Sequence, residues 1–241
     1  MKLRLLSLPA VLLFTAGVLT QLIFSSSMVW AEMEASIFGT QITAGGLNLS
    51  CPLMLSSSES STVIATVTNT LHEQVSPLVT TEISKSVGYQ SLNEALTLAP
   101  YQTRTVAWSI NDTDVIFGRL ILVHVIQGGY GDLALRHGYC GILIFNLLNL
   151  SGNQSLILFV FAGLILVLAG GVLWRRIHEP LDDAADQTIK ACGGLTGVTT
   201  LALFTALPRW WGLTLFLDAF ALIMISVIFT DFLLFPRHNR S

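Results

Sequence analysis

Four apolar runs constrain this chain more than anything else in it: residues 5–24, 156–174, 191–207 and 212–235. Each approaches or exceeds the length a helix needs to cross a bilayer. Within hydrocarbon the backbone must satisfy its own hydrogen bonds, so such runs become helices. Between the first and second lies a stretch of ordinary soluble character, about 32–150. Only 11% of the 241 residues are charged, against roughly a quarter in a soluble domain. The net charge of −3, without a basic patch, argues against nucleic acid as a partner.

Basic residues set the expected orientation. Lys2 and Arg4 precede the first run, Arg175, Arg176 and Lys190 bracket the loop between the second and third, and Arg237 and Arg240 follow the fourth. Only Arg209 lies in the short turn on the other side. The positive-inside rule puts both termini and the 175–190 loop in the cytoplasm and exports the 32–150 region. Trp30, Trp174, Trp210 and Trp211 fall where an interfacial belt belongs.

The first run allows two fates. Its basic start and "SSSMVWA" ending suit a signal peptide, with Val29 and Ala31 at the −3 and −1 positions of a cleavage site. It is also long enough, despite Pro9, to remain as an anchor. Residues 1–31 are thus a leader or a first helix, 32–150 an extracytoplasmic domain, and 151–241 a membrane domain with helices at about 155–174, 191–207 and 212–235.

The exported stretch reads as strands. "STVIATVTNT" alternates, with Val63, Ala65 and Val67 on one face. "VSPLVTTEIS", "YQTRTVAWSI", "FGRLILVHVIQ" and "YCGILIFNLL" continue the series, separated by turn signals such as "GGYGD". Strands at this spacing predict a β-sandwich with no useful helical periodicity. Val106, Trp108 and Ile110 share a strand face, so Trp108 is expected in the core. Cys51 and Cys140 stand near the two ends of the domain, and on an oxidising face they would close a bridge; the alternative is two buried thiols. Cys192 falls in the third helix as a reduced packing residue.

The pattern "CPLML…STVIATVTNT…LTLAPYQTRTVAWSI…FGRLILVHV…YCGILI" resembles bacterial immunoglobulin-like domains of the CARDB and related adhesion-module type. The likeness covers about residues 49–147. It implies interaction or spacing rather than catalysis and carries no active site onto this chain. Such modules usually occur in strings or on large ectodomains, whereas here one stands alone above helices.

His72, His124 and His137 share the exported domain, but their spacing matches no zinc motif. No G-x-S-x-G surrounds a serine, so "SSSESS" at 56–61 is a polar loop. Asn48, Asn111, Asn149 and Asn153 each begin an N-x-S/T sequon. Asp182, Asp183 and Asp186 suit the first turns of a helix beginning near Pro180. Gly193 and Gly197 form a G-x-x-x-G in the third helix, and Ala162, Gly163, Gly170 and Gly171 dot the second, as close helix packing requires.

Asp218 is the anomaly. It stands inside "FLDAFALIMISVIF", where a carboxyl group is costly unless neutral or paired. Asp231 lies near the far border and on a different face. Three partners are open to Asp218: Thr200 or Thr205 of the preceding helix, Arg209 from the turn, or a basic group on another subunit. The expected protein is a non-enzymatic bacterial membrane protein, an exported immunoglobulin-like sandwich followed by a small transmembrane helical bundle. It requires no cofactor, metal or small-molecule substrate. Its partners are the bilayer and another membrane subunit. The rival expectation is a component of a transport or proton-conducting assembly built around Asp218.

Overall fold

The computed structural model describes residues 2–38, 45–129, 133–146, 150–177 and 183–234. Residues 130–132, Asn149, Pro180, Asp182, Arg237 and Arg240 lie outside these, and the side chains of Lys2, Arg4, Asp183, Asp186 and Asp231 are likewise outside the description. The chain divides into two compact units, Met1–Val29 with Ile157–Ser241, and Trp30–Leu156.

The order of elements is α1 (Lys2–Phe38), β1 (Gly45–Gly46), β2 (Asn48–Ser50), β3 (Met54–Leu55), β4 (Ser61–Thr68), β5 (Leu78–Ser84), β6 (Tyr89–Ala95), β7 (Thr103–Ile110), β8 (Leu120–Gln127), β9 (Arg136–Ile144), α2 (Gly152–Ile177), α3 (Asp183–Ala206) and α4 (Trp211–Leu234). A single 3₁₀ turn, Asp112–Asp114, precedes β8 and is capped reciprocally by the Asn111 and Asp114 side chains. The protein is therefore mixed, with four apolar helices and a β domain among the described residues. Leu8–Phe38, Gly152–Ile177, Gln187–Ala206 and Trp211–Ile228 are each long and apolar enough to cross a membrane. This is the constitution of a membrane protein.

The β unit consists of two sheets around one core. One sheet runs β1-β9-β8-β5-β6, with β3 also paired to β9; the other runs β2-β4-β7. Alternation places Val63, Ala65 and Val67 of β4, Val106, Trp108 and Ile110 of β7, and Ile121, Val123 and Val125 of β8 in a shared interior. Trp108 is 7% exposed, as its strand periodicity predicts. Lys85 pairs with the buried Asp114, and the Ser84 hydroxyl donates to the Asp114 carbonyl (2.7 Å), tying β5 to the 3₁₀ turn.

Two features depart from the sequence reading. β6 carries no apolar alternation, because only Leu92 of its seven residues is half-buried against the core; its hydrogen bonding to β5 makes it a strand. And helix continues past residue 31 into the stretch read as purely β. Residues 30–38 meet the first sheet through Ala31, which lies against Gly141, and Ala31 and Ala35 are both fully buried. A Cβ on Gly141 of β9 would fall 2.0 Å from the Ala31 carbonyl oxygen, so only glycine permits this approach. Phe38 meets the Tyr89 ring edge-on at 6.2 Å.

Candidate functional site

Within the helical unit the buried faces are narrow stripes on otherwise apolar cylinders. On α4 the stripe is Thr214, Leu217, Asp218 and Ala221, spaced i, i+3, i+4, i+7. Phe216, Phe220, Ile223 and Val227 point outward. On α1 it includes Val18, Gln21, Leu22, Ser25, Met28 and Val29. These two stripes bring Asp218 against "SSS" of α1. The Ser25 hydroxyl donates to Asp218 Oδ1 at 2.8 Å, and the Ser26 hydroxyl to Oδ2 at 3.1 Å. Asp218 is 4% exposed and Ser25 fully buried, while Ser26 stands at the exposed edge of the contact. The helix rise puts Asp218 about 10 Å along α4 from Trp211, and Ser25 about 7 Å along α1 from Trp30.

This corrects the expectation that Thr200 or Thr205 holds the carboxyl group. Thr205 instead accepts from the Thr214 hydroxyl (3.0 Å) and donates to the Ala202 carbonyl (3.0 Å). The antiparallel α3–α4 pair sets Thr205 opposite Thr214, one helical turn from Asp218. Thr200 lies about 140° around α3 from Thr205 and only half-buried. Arg209 occupies the turn with φ 62, its amide donating to Ala206 (3.1 Å). Among the described residues, Ser25 and Ser26 are the hydrogen-bond partners of Asp218. Gln21, one turn from Ser25 and 1% exposed, has neither amide atom hydrogen-bonded among them. In sequence "SSSMVWA" has the look of the polar end of a leader, which hides the serines as partners of the acid. Three hydroxyls at the depth of a solitary acid were the available signal.

The glycines divide. A Cβ on Gly170 would lie 2.5 Å from the Phe14 amide nitrogen, and one on Gly17 would lie 2.6 Å from the Val167 nitrogen and 3.0 Å from the Gly163 carbonyl oxygen. α1 and α2 thus approach closely through small residues. Phe24 stacks on Phe159 nearby, with ring centroids 6.0 Å apart. Gly171, Gly193 and Gly197, by contrast, have nothing within 4 Å of a Cβ position. The G-x-x-x-G of α3 is not a packing contact within this unit.

In the β unit Cys51 and Cys140 form a disulfide, with Cα atoms 6.6 Å apart and 89 residues between them in sequence. His72 sits against the Tyr101 hydroxyl (2.7 Å), away from the other two histidines. His124 is fully buried; its Nδ1 lies 3.2 Å from Glu82 Oε2, and its ring stands 5.8 Å from that of His137. No group of three metal-ligating side chains forms among the described residues. Cys192 remains a free thiol in α3.

No known protein family matches the chain, and no curated protein matches it in sequence. Among solved structures, a β-glucuronidase of Bacteroides uniformis aligns at 18% identity and a TM-score of 0.31, covering 41% of this chain and 13% of that one. A superoxide reductase (neelaredoxin) of Ignicoccus hospitalis aligns at 11% identity and 0.33, covering 42% and 82%. A β-glucosidase of Listeria innocua aligns at 15% and 0.31, covering 44% and 17%. The chain thus spans a small part of the glycosidases, and similarity at this level carries no functional argument.

Proposed function

We propose that this chain is a non-enzymatic, membrane-anchored interaction protein, an accessory or scaffold subunit of a membrane complex. It displays an immunoglobulin-like sandwich of the adhesion-module type outside the cytoplasm and keeps its C-terminus inside. The observation that supports this reading best is the outward face of α3. Gly193, Gly197, Leu201 and Phe204 form one exposed stripe, and the two glycines leave a shallow groove with open space above it. Small residues spaced i, i+4 allow a second helix to come close. A partner subunit's helix is the occupant proposed for that groove.

The test is co-purification in mild detergent, comparing wild type with Gly193→Leu/Gly197→Leu. Loss of a stoichiometric partner with unchanged thermal unfolding supports the proposal. Retention of the same assembly by the double variant refutes it. In the same reading residues 1–31 stay attached as α1, because Ser25 and Ser26 satisfy Asp218. An intact mass beginning at residue 32 would overturn that part.

A second reading, a component of a proton- or ion-conducting assembly, is favoured by one observation: Gln21 and Asp218 form a buried polar patch around Ser25. Proton flux in liposomes that persists in Asp218→Ala would exclude it.

A further inference from the structure

The hairpin before β8 is unusual. Ile116 and Leu120 bridge around a tight turn in which Arg119 N–H donates to the Ile116 carbonyl (3.1 Å). Its central residues, Phe117 and Gly118, have φ of 51° and 68°. Glycine takes this conformation freely and asparagine tolerates it, but a phenylalanine there is disfavoured. The ring gains little from the protein in return, since Phe117 is 69% exposed. An exposed aromatic side chain held in a disfavoured turn calls for a ligand outside the chain.

The surroundings of the hairpin indicate which. The Arg119 guanidinium lies over the Trp30 indole, 4.5 Å from the ring centroid. Trp30 ends the apolar part of α1, at the position of an interfacial tryptophan. The Arg119 carbonyl accepts from Ile144 N–H (2.8 Å), at the end of β9, and the chain then leads to α2 at Gly152. Gly152 N–H is held by Glu59 Oε2 (2.8 Å), and a Cβ on Gly152 would strike the Met54 carbonyl of β3. Both connections from the sandwich to its helices therefore leave beside β3 and β9, where this hairpin stands. From Ala31 beside β9, α1 runs on to Phe38 beside β6, three strand spacings or about 14 Å away.

We propose that the 116–120 hairpin is a phospholipid-binding element. Phe117 enters the boundary between headgroups and acyl chains, and Arg119, its face stacked on Trp30, offers its in-plane N–H edge to a lipid phosphate. A guanidinium edge suits a phosphate by bidentate geometry, and its flat face is free to stack on an aromatic ring. This rests on the chain being membrane-embedded through its helices and is independent of which protein partner it binds.

The test uses the full chain in a Cys192→Ser background, with single cysteines replacing Phe117, Val87 or Leu158 and carrying an environment-sensitive fluorophore. Val87 is 91% exposed on the β5–β6 turn, two to three strands from β9, and Leu158 is exposed on α2. Each is reconstituted in nanodiscs of phosphatidylcholine and phosphatidylglycerol, with nitroxide-labelled lipids as quenchers. The expected result is quenching at 117 at least threefold stronger than at 87, greater with a shallow nitroxide than with a deep one, and halved by Arg119→Gln. Equal, weak quenching at 117 and 87 with strong quenching at 158 overturns the lipid contact alone. Absence of quenching at 158 overturns the membrane embedding, and the proposal with it.

Discussion

Removing the two serines should destabilise the helical unit more than removing the acid they serve. An aspartate near the centre of a membrane helix costs about 2.5–3.5 kcal/mol on the insertion scale. Hydrogen bonds between helices in membranes contribute about 0.6 kcal/mol each on average and about 1.7 at most. The two donors on Asp218, at 2.8 and 3.1 Å, therefore offset about 1.2 kcal/mol at the average value and about 3.4 kcal/mol at most, from roughly a third of the cost to all of it. Ser25→Ala/Ser26→Ala leaves a buried carboxyl group with neither donor. The expected loss is about 1–3 kcal/mol. Asp218→Ala strands nothing comparable, because Ser25 already lies 3.2 Å from the Leu22 carbonyl and can turn to it. That single change should be nearly neutral. A double-mutant cycle between Ser25→Ala and Asp218→Ala, read by helix content during SDS titration in bicelles, measures the coupling directly. About 0.6–1.7 kcal/mol is expected. A coupling within about 0.3 kcal/mol of zero, or an Asp218→Ala loss as large as that of the double serine variant, would refute the reasoning.

Three further outcomes follow from particular contacts. Replacing Cys51 and Cys140 by alanine opens a loop of 89 residues, and the chain-entropy relation gives a loss of about 4–5 kcal/mol; hydrogen exchange in β4 and β8 should rise together, and unchanged protection would contradict it. Trp108→Ala removes a core side chain shared by both sheets and should cost about 3–5 kcal/mol, visible as an earlier unfolding transition of the β signal. Gly170→Leu drives a side chain into the Phe14 backbone while Gly171→Leu meets open space; the first should lose at least about 1–3 kcal/mol and the second almost none, and equal effects in detergent unfolding would sink the assigned α1–α2 contact.

The parts of this architecture legible in the sequence were those in which one period dominated. β4 and β7 alternate strictly, so their inward residues could be named, and Trp108 with them. All four apolar runs announced helices, as the backbone in hydrocarbon requires, and the second and fourth did so to within about four residues, whereas α1 runs on to Phe38 and α3 begins at Asp183, well outside the runs. β6 was invisible for the opposite reason. "YQSLNEA" turns only Leu92 to the core, and its order comes from pairing with β5, which a single sequence does not display. The extension of α1 over residues 31–38 was equally silent. Its docking face is two alanines and its receptor is Gly141, a match of small surfaces 110 residues apart.

The acid in α4 shows why a site is harder to anticipate than a fold. Its anomaly was plain, because a carboxyl group in hydrocarbon is improbable on its own terms. Its partners were not, because adjacency in sequence favoured the α3–α4 hairpin, and there the threonines find each other first: Thr205 takes Thr214 one turn from the acid. The acid is left to the helix that arrives from the other end of the chain. That arrangement has a consequence for assembly order. α4 cannot satisfy Asp218 through the hairpin, so the contact with Ser25 and Ser26 forms only when α1 and α4, separated by nearly 200 residues, have met. The polar contact then acts as a register check. A slip of α1 by one turn that sets Val29 and Trp30 in the places of Ser25 and Ser26 leaves Asp218 unpaired, a penalty that a purely apolar seam does not carry.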